Sequence, residues 1–97
     1  LSNAALVLEI RARLQSLAPL AIAVDDESAL HAGHAGAASG GGHFRLQITC
    51  AAFAGLGKVA RHRMVYAALG DLMRGRIHAL AIDARAPGEQ ARQPGPP

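Results

Sequence analysis

A chain of 97 residues is the size of one domain and buries a modest core, which leaves little room for a second lobe or a deep enclosed active site. Half of it is apolar, but much of that is alanine and the aromatics are only Phe44, Phe53 and Tyr66, so a thin aliphatic core is expected. The net charge of +3 is uneven, −2 over residues 1–42 and +5 over residues 43–97, a mildly basic half of a kind that meets nucleic acid or an acidic protein.

The single cysteine, Cys50, excludes an internal disulfide and fits a reducing compartment. No apolar run approaches the roughly 20 residues that span a bilayer. The expectation is a soluble, cytoplasmic protein with no membrane partner. Ser2-Asn3-Ala4 resembles a cloning scar, so residues 1–4 are set aside as a tag or disordered start.

In residues 4–17, Leu6, Ile10, Leu14 and Leu17 repeat every three or four positions, which predicts a helix with Asn3 as N-cap and Pro19 as its stop. Leu20, Ile22 and Val24 alternate with alanines and predict a strand ended by the acidic run from Asp25 to Ser28. Residues 29–42 are too rich in glycine for a regular element, and a loop of that length in a small domain is more often functional than a short one. Across residues 43–50, Phe44, Leu46, Ile48 and Cys50 face one way and Arg45, Gln47 and Thr49 the other, the pattern of a strand with one wet face. Cys50 lies on the apolar side and reads as a small core residue.

A short helical turn at residues 51–54, broken by Gly55 and Gly57, precedes the best-marked helix, from Lys58 to about Arg74. Val65, Ala68, Leu69 and Leu72 make its apolar stripe, and Gly75 is in place to cap it. Lys58, Arg61, His62 and Arg63 crowd its first turns, where the helix dipole disfavours cations, so they are either compensated by tertiary partners or kept for something negative. Residues 77–84 are almost continuously apolar, which predicts an interior strand. A Pro-rich tail follows, with residues 89–97 read as disordered. The order predicts an α+β, two-layer αββαβ domain over residues 5–88, its three-stranded mixed sheet carrying the helices on one face.

No Ser-His-Asp set, no carboxylate pair in an apolar setting and no phosphate loop after a strand is evident, so neither an enzyme nor a small-molecule substrate is indicated. The histidines are His31, His34, His43, His62 and His78. His31 and His34 share the glycine-rich loop, and His78 opens the last strand, in parity with Leu80 and Ile82. A loop imidazole and an anchored one supply two nitrogens to a metal, but no local set makes the four ligands of a structural zinc site. Gly33-His34-Ala35-Gly36 matches the GxxG of KH domains, although it lies between strands and not between helices. The inter-helix turn Gly55-Leu56-Gly57-Lys58 lacks that motif.

Taken together, the block from Arg61 to Leu69 (RHRMVYAAL), the block from Ile77 to Ile82 (IHALAI), and His43-Phe44 opening a strand ahead of Phe53 and Gly55 resemble the BolA family, from about Leu6 to Glu89. Asp26-Glu27-Ser28 before a histidine-bearing loop resembles its bacterial members. The resemblance implies a class II KH-like fold without the KH GxxG. It implies a monothiol glutaredoxin as heterodimer partner and a [2Fe-2S] cluster shared with that partner and its glutathione, none being held by the isolated apo protein. On that basis His78 is the C-terminal ligand and His34 the loop ligand, with His31 as its alternative. The family's second role, transcriptional control, implies a duplex-DNA or partner surface at the helix-turn-helix-like region 53–73, with Lys58, Arg61, Arg63 and Arg74 available to phosphates.

Overall fold

The computed structural model of the chain describes residues 2–31 and 42–89, except for the side chains of Leu30 and His31. The elements are α1 (Asn3–Leu14), β1 (Ala21–Asp26), β2 (Gly42–Thr49), α2 (Lys58–Leu69) and β3 (Ile77–Arg85). Single 3-10 turns lie at Gln15–Leu17, Ser28–His31, Ala51–Phe53 and Gly70–Met73. This is the αββαβ order expected, and among the described residues no helix is long and apolar enough to cross a membrane.

The strict alternation of β2 makes it the strand around which the core forms. Phe44, Leu46 and Ile48, with Cys50 just beyond, are all but sealed from solvent. Leu6, Ile10 and Leu14 of α1 and Val65 and Leu69 of α2 close over that face, and Phe53 and Leu72 fill its margins. Each large aliphatic side chain buried in this way contributes about 1.5–3 kcal/mol. Burial also pushes the Cys50 thiol up from its ordinary value, which keeps it a small apolar group.

β1 pairs antiparallel with β2, from Ala21 opposite Thr49 to Asp26 opposite Phe44. β3 pairs parallel with β2 on the other side, since α2 carries the chain back across the sheet. β3 is therefore an edge strand and not the interior strand its apolar run predicts. Alanine misleads here, because it suits either environment. Ala79 and Ala81 are exposed on the open face of the sheet, while Leu80 and Ile82 are only half-buried beside Phe44 and Leu46.

Several boundaries differ from the sequence pattern for local reasons. Ser2, not Asn3, caps α1, its Oγ accepting from the Ala5 amide at 3.1 Å. Asn3 instead donates to Ser28 Oγ at 3.2 Å. Residues 15–17 tighten into a 3-10 turn that ends at Ala18, in the left-handed region with φ 50°. Leu20 lies outside β1 and is exposed, while the strand continues through Asp25 and Asp26. An edge strand with one wet face tolerates those carboxylates, and Asp25 sits opposite Arg45. α2 stops at Leu69, not near Arg74, because Gly70 turns to φ 57°. Gly75, at φ 115°, serves the turn into β3.

Two arginines fix the ends of α2. At its C-terminus Arg13 donates one Nη1 to Leu69 O (3.0 Å) and to Asp71 Oδ1 (2.6 Å), so α1 supplies the cation that the helix end favours. At its N-terminus Arg61 Nε donates to Leu56 O (2.8 Å) and Nη1 to Ala84 O (3.0 Å). The same guanidinium grips Glu89 with both branches, at 2.6 and 3.0 Å. Glu89 Oε1 also accepts from the Ala86 amide at 2.9 Å. Glu89 thus belongs to the folded unit and not to the tail, and Pro87-Gly88 forms the turn that returns it to α2.

Leu69→Ala is expected to cost about 2–5 kcal/mol in urea unfolding, and Leu8→Ala, at an exposed position of α1, less than about 0.5 kcal/mol. Hydrogen bonds from Arg61, then that from the Ala86 amide, hold the Glu89 carboxyl down at about 2 against an ordinary 4.5. A carboxyl depressed in the folded state stabilises above its unfolded pKa and loses that contribution as pH falls towards its folded one. The drop in urea midpoint between pH 6 and pH 3 should therefore be smaller in Glu89→Gln than in the parent chain.

Candidate functional site

His78 owes its position to a break in the ladder between β2 and β3. Gly42 pairs with Ile77 but His43 pairs with Ala79, so one residue on β3 has no opposite number. That residue is His78. Such a bulge re-aims its side chain. Ile77 stays buried, and His78 is exposed instead of sharing the half-buried side of Leu80 and Ile82, as simple parity predicts. Its imidazole lies beside that of His43, with ring centroids 4.9 Å apart and planes tilted by 39°. His43 is half-buried and its Nε2 is shielded from solvent.

The backbone at this end of the sheet is pinned from several sides. Gly42 N donates to Arg76 O (3.0 Å), and Glu27 N to His43 O (2.8 Å). Ser28 Oγ accepts from the His43 amide at 3.1 Å as well as from Asn3. Ser28 N donates in turn to Asp26 Oδ1 at 2.9 Å. Hydrogen bonding to Ser28, by side chain and then by amide, holds the Asp26 carboxyl below its ordinary value. Gly42 is required sterically, since a Cβ there would overlap the Phe44 ring. Glu27 and Ser28, ahead of the Ser28–His31 turn, and Gly42, at the start of β2, are thus all tied to this end of the sheet.

His34 lies outside the described residues. His31 ends the Ser28–His31 turn, and its side chain is likewise outside them. The structure brings His43 to His78, a juxtaposition that alternation along each strand does not reveal. It depends on which residues of two parallel strands are paired, and on a one-residue bulge.

The basic residues of α2 divide into two groups. Lys58, Arg63 and Arg74 are exposed. Arg61 is committed to Glu89 and to two carbonyls, its side chain 12% exposed, so it is a clasp rather than a free phosphate ligand. His62 makes an edge contact with Tyr66, centroids 6.4 Å apart. The segment ahead of α2 is one 3-10 turn, Ala51–Phe53, followed by four residues that lead to Lys58. It does not supply the first helix of a helix-turn-helix.

The family model of the BolA-like proteins matches residues 14–89. The BolA-like protein 1 of Mus musculus is 38% identical over 86 residues, covering 88% of this chain and 61% of that protein. The SufE-like protein 1 of Arabidopsis thaliana (chloroplastic/mitochondrial) is 40% identical over 88 residues, 84% of this chain but 24% of that longer protein. This chain thus spans less than two thirds of either. Among solved structures, the BolA domain of SufE1 from Arabidopsis thaliana superposes with a TM-score of 0.72 at 40% identity, over 86% of this chain and 93% of that one. BolA1 from Arabidopsis thaliana superposes at 0.71 with 32% identity, over 86% and 93%. The αββαβ fold is therefore one shared with these solved structures, and the chain belongs to the BolA-like protein family.

Proposed function

We propose that this chain is a non-enzymatic adaptor that shares a [2Fe-2S] cluster with a monothiol glutaredoxin, in iron-sulfur cluster trafficking or in iron and redox sensing. The observation that carries the reading is the exposed imidazole of His78 at a backbone-locked bulge, with His43 beside it. Neutral imidazole suits iron, and the rigid start of β3 holds one such ligand without help from a mobile partner. Two imidazoles do not complete a cluster, so the remaining ligands have to come from another molecule, the glutaredoxin and its glutathione.

His78 is the anchored ligand in this reading. The second ligand is His34 or His31, from the sequence between Ser28 and Gly42, or His43 in place. Imidazole in place of thiolate on one iron raises the cluster's potential, as in Rieske centres. Because a ligating imidazole must be neutral, acid weakens such a site, which suits sensing or transfer better than storage. The tie from Ser28 to Asp26 and to the His43 amide keeps the ligand strand and the loop base in fixed relation.

The test is co-expression with the monothiol glutaredoxin, read by visible absorption and circular dichroism of the anaerobic heterocomplex. His78→Ala is expected to remove or shift the bands, with the far-ultraviolet spectrum unchanged because the side chain is exposed. Single His31→Ala, His34→Ala and His43→Ala chains identify the second ligand by which of them repeats that loss. An unchanged spectrum in the His34→Ala, His78→Ala double variant excludes the ligand assignment.

A further inference from the structure

β3 is an edge strand whose outer side borders a groove of about 440 Å³. The direction of its backbone groups follows from one hydrogen bond. Arg85 O accepts from the Cys50 amide at 3.0 Å, on the side of β2. Alternation along the strand then turns the N–H and C=O of Leu80, Ile82 and Ala84 outward. The Arg61–Glu89 clasp covers only the far end of this row, where Arg61 takes Ala84 O and Glu89 takes the Ala86 amide. Among the described residues nothing is bonded to the outward groups of Leu80 or Ile82, or to the Ala84 amide.

The facing wall of the groove comes from the start of α2, with Leu56, Lys58 and His62 opposite Ile82, Ala84 and Arg85. Its charge is biased positive. Arg61 is neutralised by Glu89, and Arg85 has Asp83 at 3.6 Å, but Lys58 is exposed at the mouth. The N-cap of α2 is Gly57, which offers no side chain to cap it, and the first turn has no acidic residue. Arg85 Nε is buried and makes no hydrogen bond among the described residues. A second copy would offer its own β3, whose only carboxylate, Asp83, already lies 3.6 Å from Arg85. The chain's own residues 90–97 are poor occupants, since they carry Arg92, no carboxylate side chain, and three prolines that lack the amide a strand needs. Nor does any Phe, Trp or Tyr line the groove to stack nucleic-acid bases.

We propose that the free edge of β3 accepts an extended acidic segment of a partner protein as a fourth strand. Its main chain pairs with the outward groups of Leu80, Ile82 and Ala84, and a carboxylate side chain meets Lys58 at the mouth of the groove. The site is distinct from the imidazoles of His43 and His78, which lie at the opposite end of β3, and does not depend on the cluster reading.

The experiment uses the whole chain and a fluorescein-labelled octapeptide alternating Glu and Val. Four probes accompany it: the same peptide N-methylated at alternate amides in each of the two registers, its Lys-Val counterpart, and a ten-residue oligothymidylate. Fluorescence anisotropy gives affinity, and amide chemical shifts give location. The Glu-Val peptide is expected to shift residues 80–85 and Lys58. N-methylation in the pairing register should weaken binding about tenfold or more, as the loss of one or two main-chain hydrogen bonds demands. Lys58→Glu should weaken it several-fold, more at low salt than at high. Ala84→Pro removes one outward donor and no ladder bond, and should weaken binding in a chain that still folds. If Ala84→Pro does not fold, the N-methyl probe decides alone. Equal binding of both N-methyl registers and the parent peptide overturns the proposal. So does no binding at all, preference for the Lys-Val peptide, shifts confined to the region of His43 and His78, or tighter occupation of the groove by the oligothymidylate.

Discussion

Burial of one face of β2 is the constraint on which the rest of the structure depends. Phe44, Leu46, Ile48 and Cys50 must all point to the helices, and a slip of one residue would turn them into water. That requirement fixes β1 by antiparallel pairing and β3 by parallel pairing. It also sets the cost of the bulge. Beyond the bulge, Leu80 and Ile82 keep step with Phe44 and Leu46, and before it Ile77 stays buried beside Gly42. The mismatch is absorbed at His78. The exposed imidazole is thus the residue left over when two apolar patterns are both satisfied.

α2 is held differently at its two ends. Its inner face is committed to the core through Val65 and Leu69, which is why the helix is so well marked in the sequence. Its ends have no side-chain caps of their own. Arg13 crosses from α1 to the C-terminus, and Arg61 leaves the first turn for β3 and Glu89. The cation cluster that the helix dipole disfavours is therefore partly compensated by tertiary partners. Arg61 lies within the fold, and Lys58 and Arg63 remain as exposed charge.

Element types and order were legible because they rest on local periodicity: 3.6 residues for α1 and α2, two for β2. Boundaries were less so, since Gly70 rather than Gly75 ends α2 and Ser2 rather than Asn3 caps α1, choices between neighbouring residues that each have the right chemistry. The place of β3 in the sheet was misread because alanines imitate a buried run. His78 was legible as a residue of interest, but its surroundings were not. The approach of His43 depends on pairing between segments more than 30 positions apart, and no local pattern encodes it. Arg61 was conspicuous as charge, but its partner Glu89 lies 28 residues away in a stretch whose composition resembles a tail.

A three-stranded sheet with helices on one side leaves two edges and a face in water, and each is managed in its own way. β1 is an edge of alanines and carboxylates, with Asp25 and Asp26 at its end, which discourages pairing with another chain. The open face is levelled by Ala21, Ala23, Ala79 and Ala81, with charges such as Arg45 and Glu27 tied to one another. β3 is treated otherwise. It is nine residues long, its only carboxylate is Asp83, and its clasp covers one end alone. A protein that needed only to protect its edges would have carried the acidic device of β1 to β3 as well. The asymmetry leaves one strand with an imidazole pair at its start and, at its end, an edge that the described residues do not cover, beside a cationic groove. A partner lying along β3 would reach both, so the register in which it paired would decide which of its side chains met the imidazoles and which met Lys58.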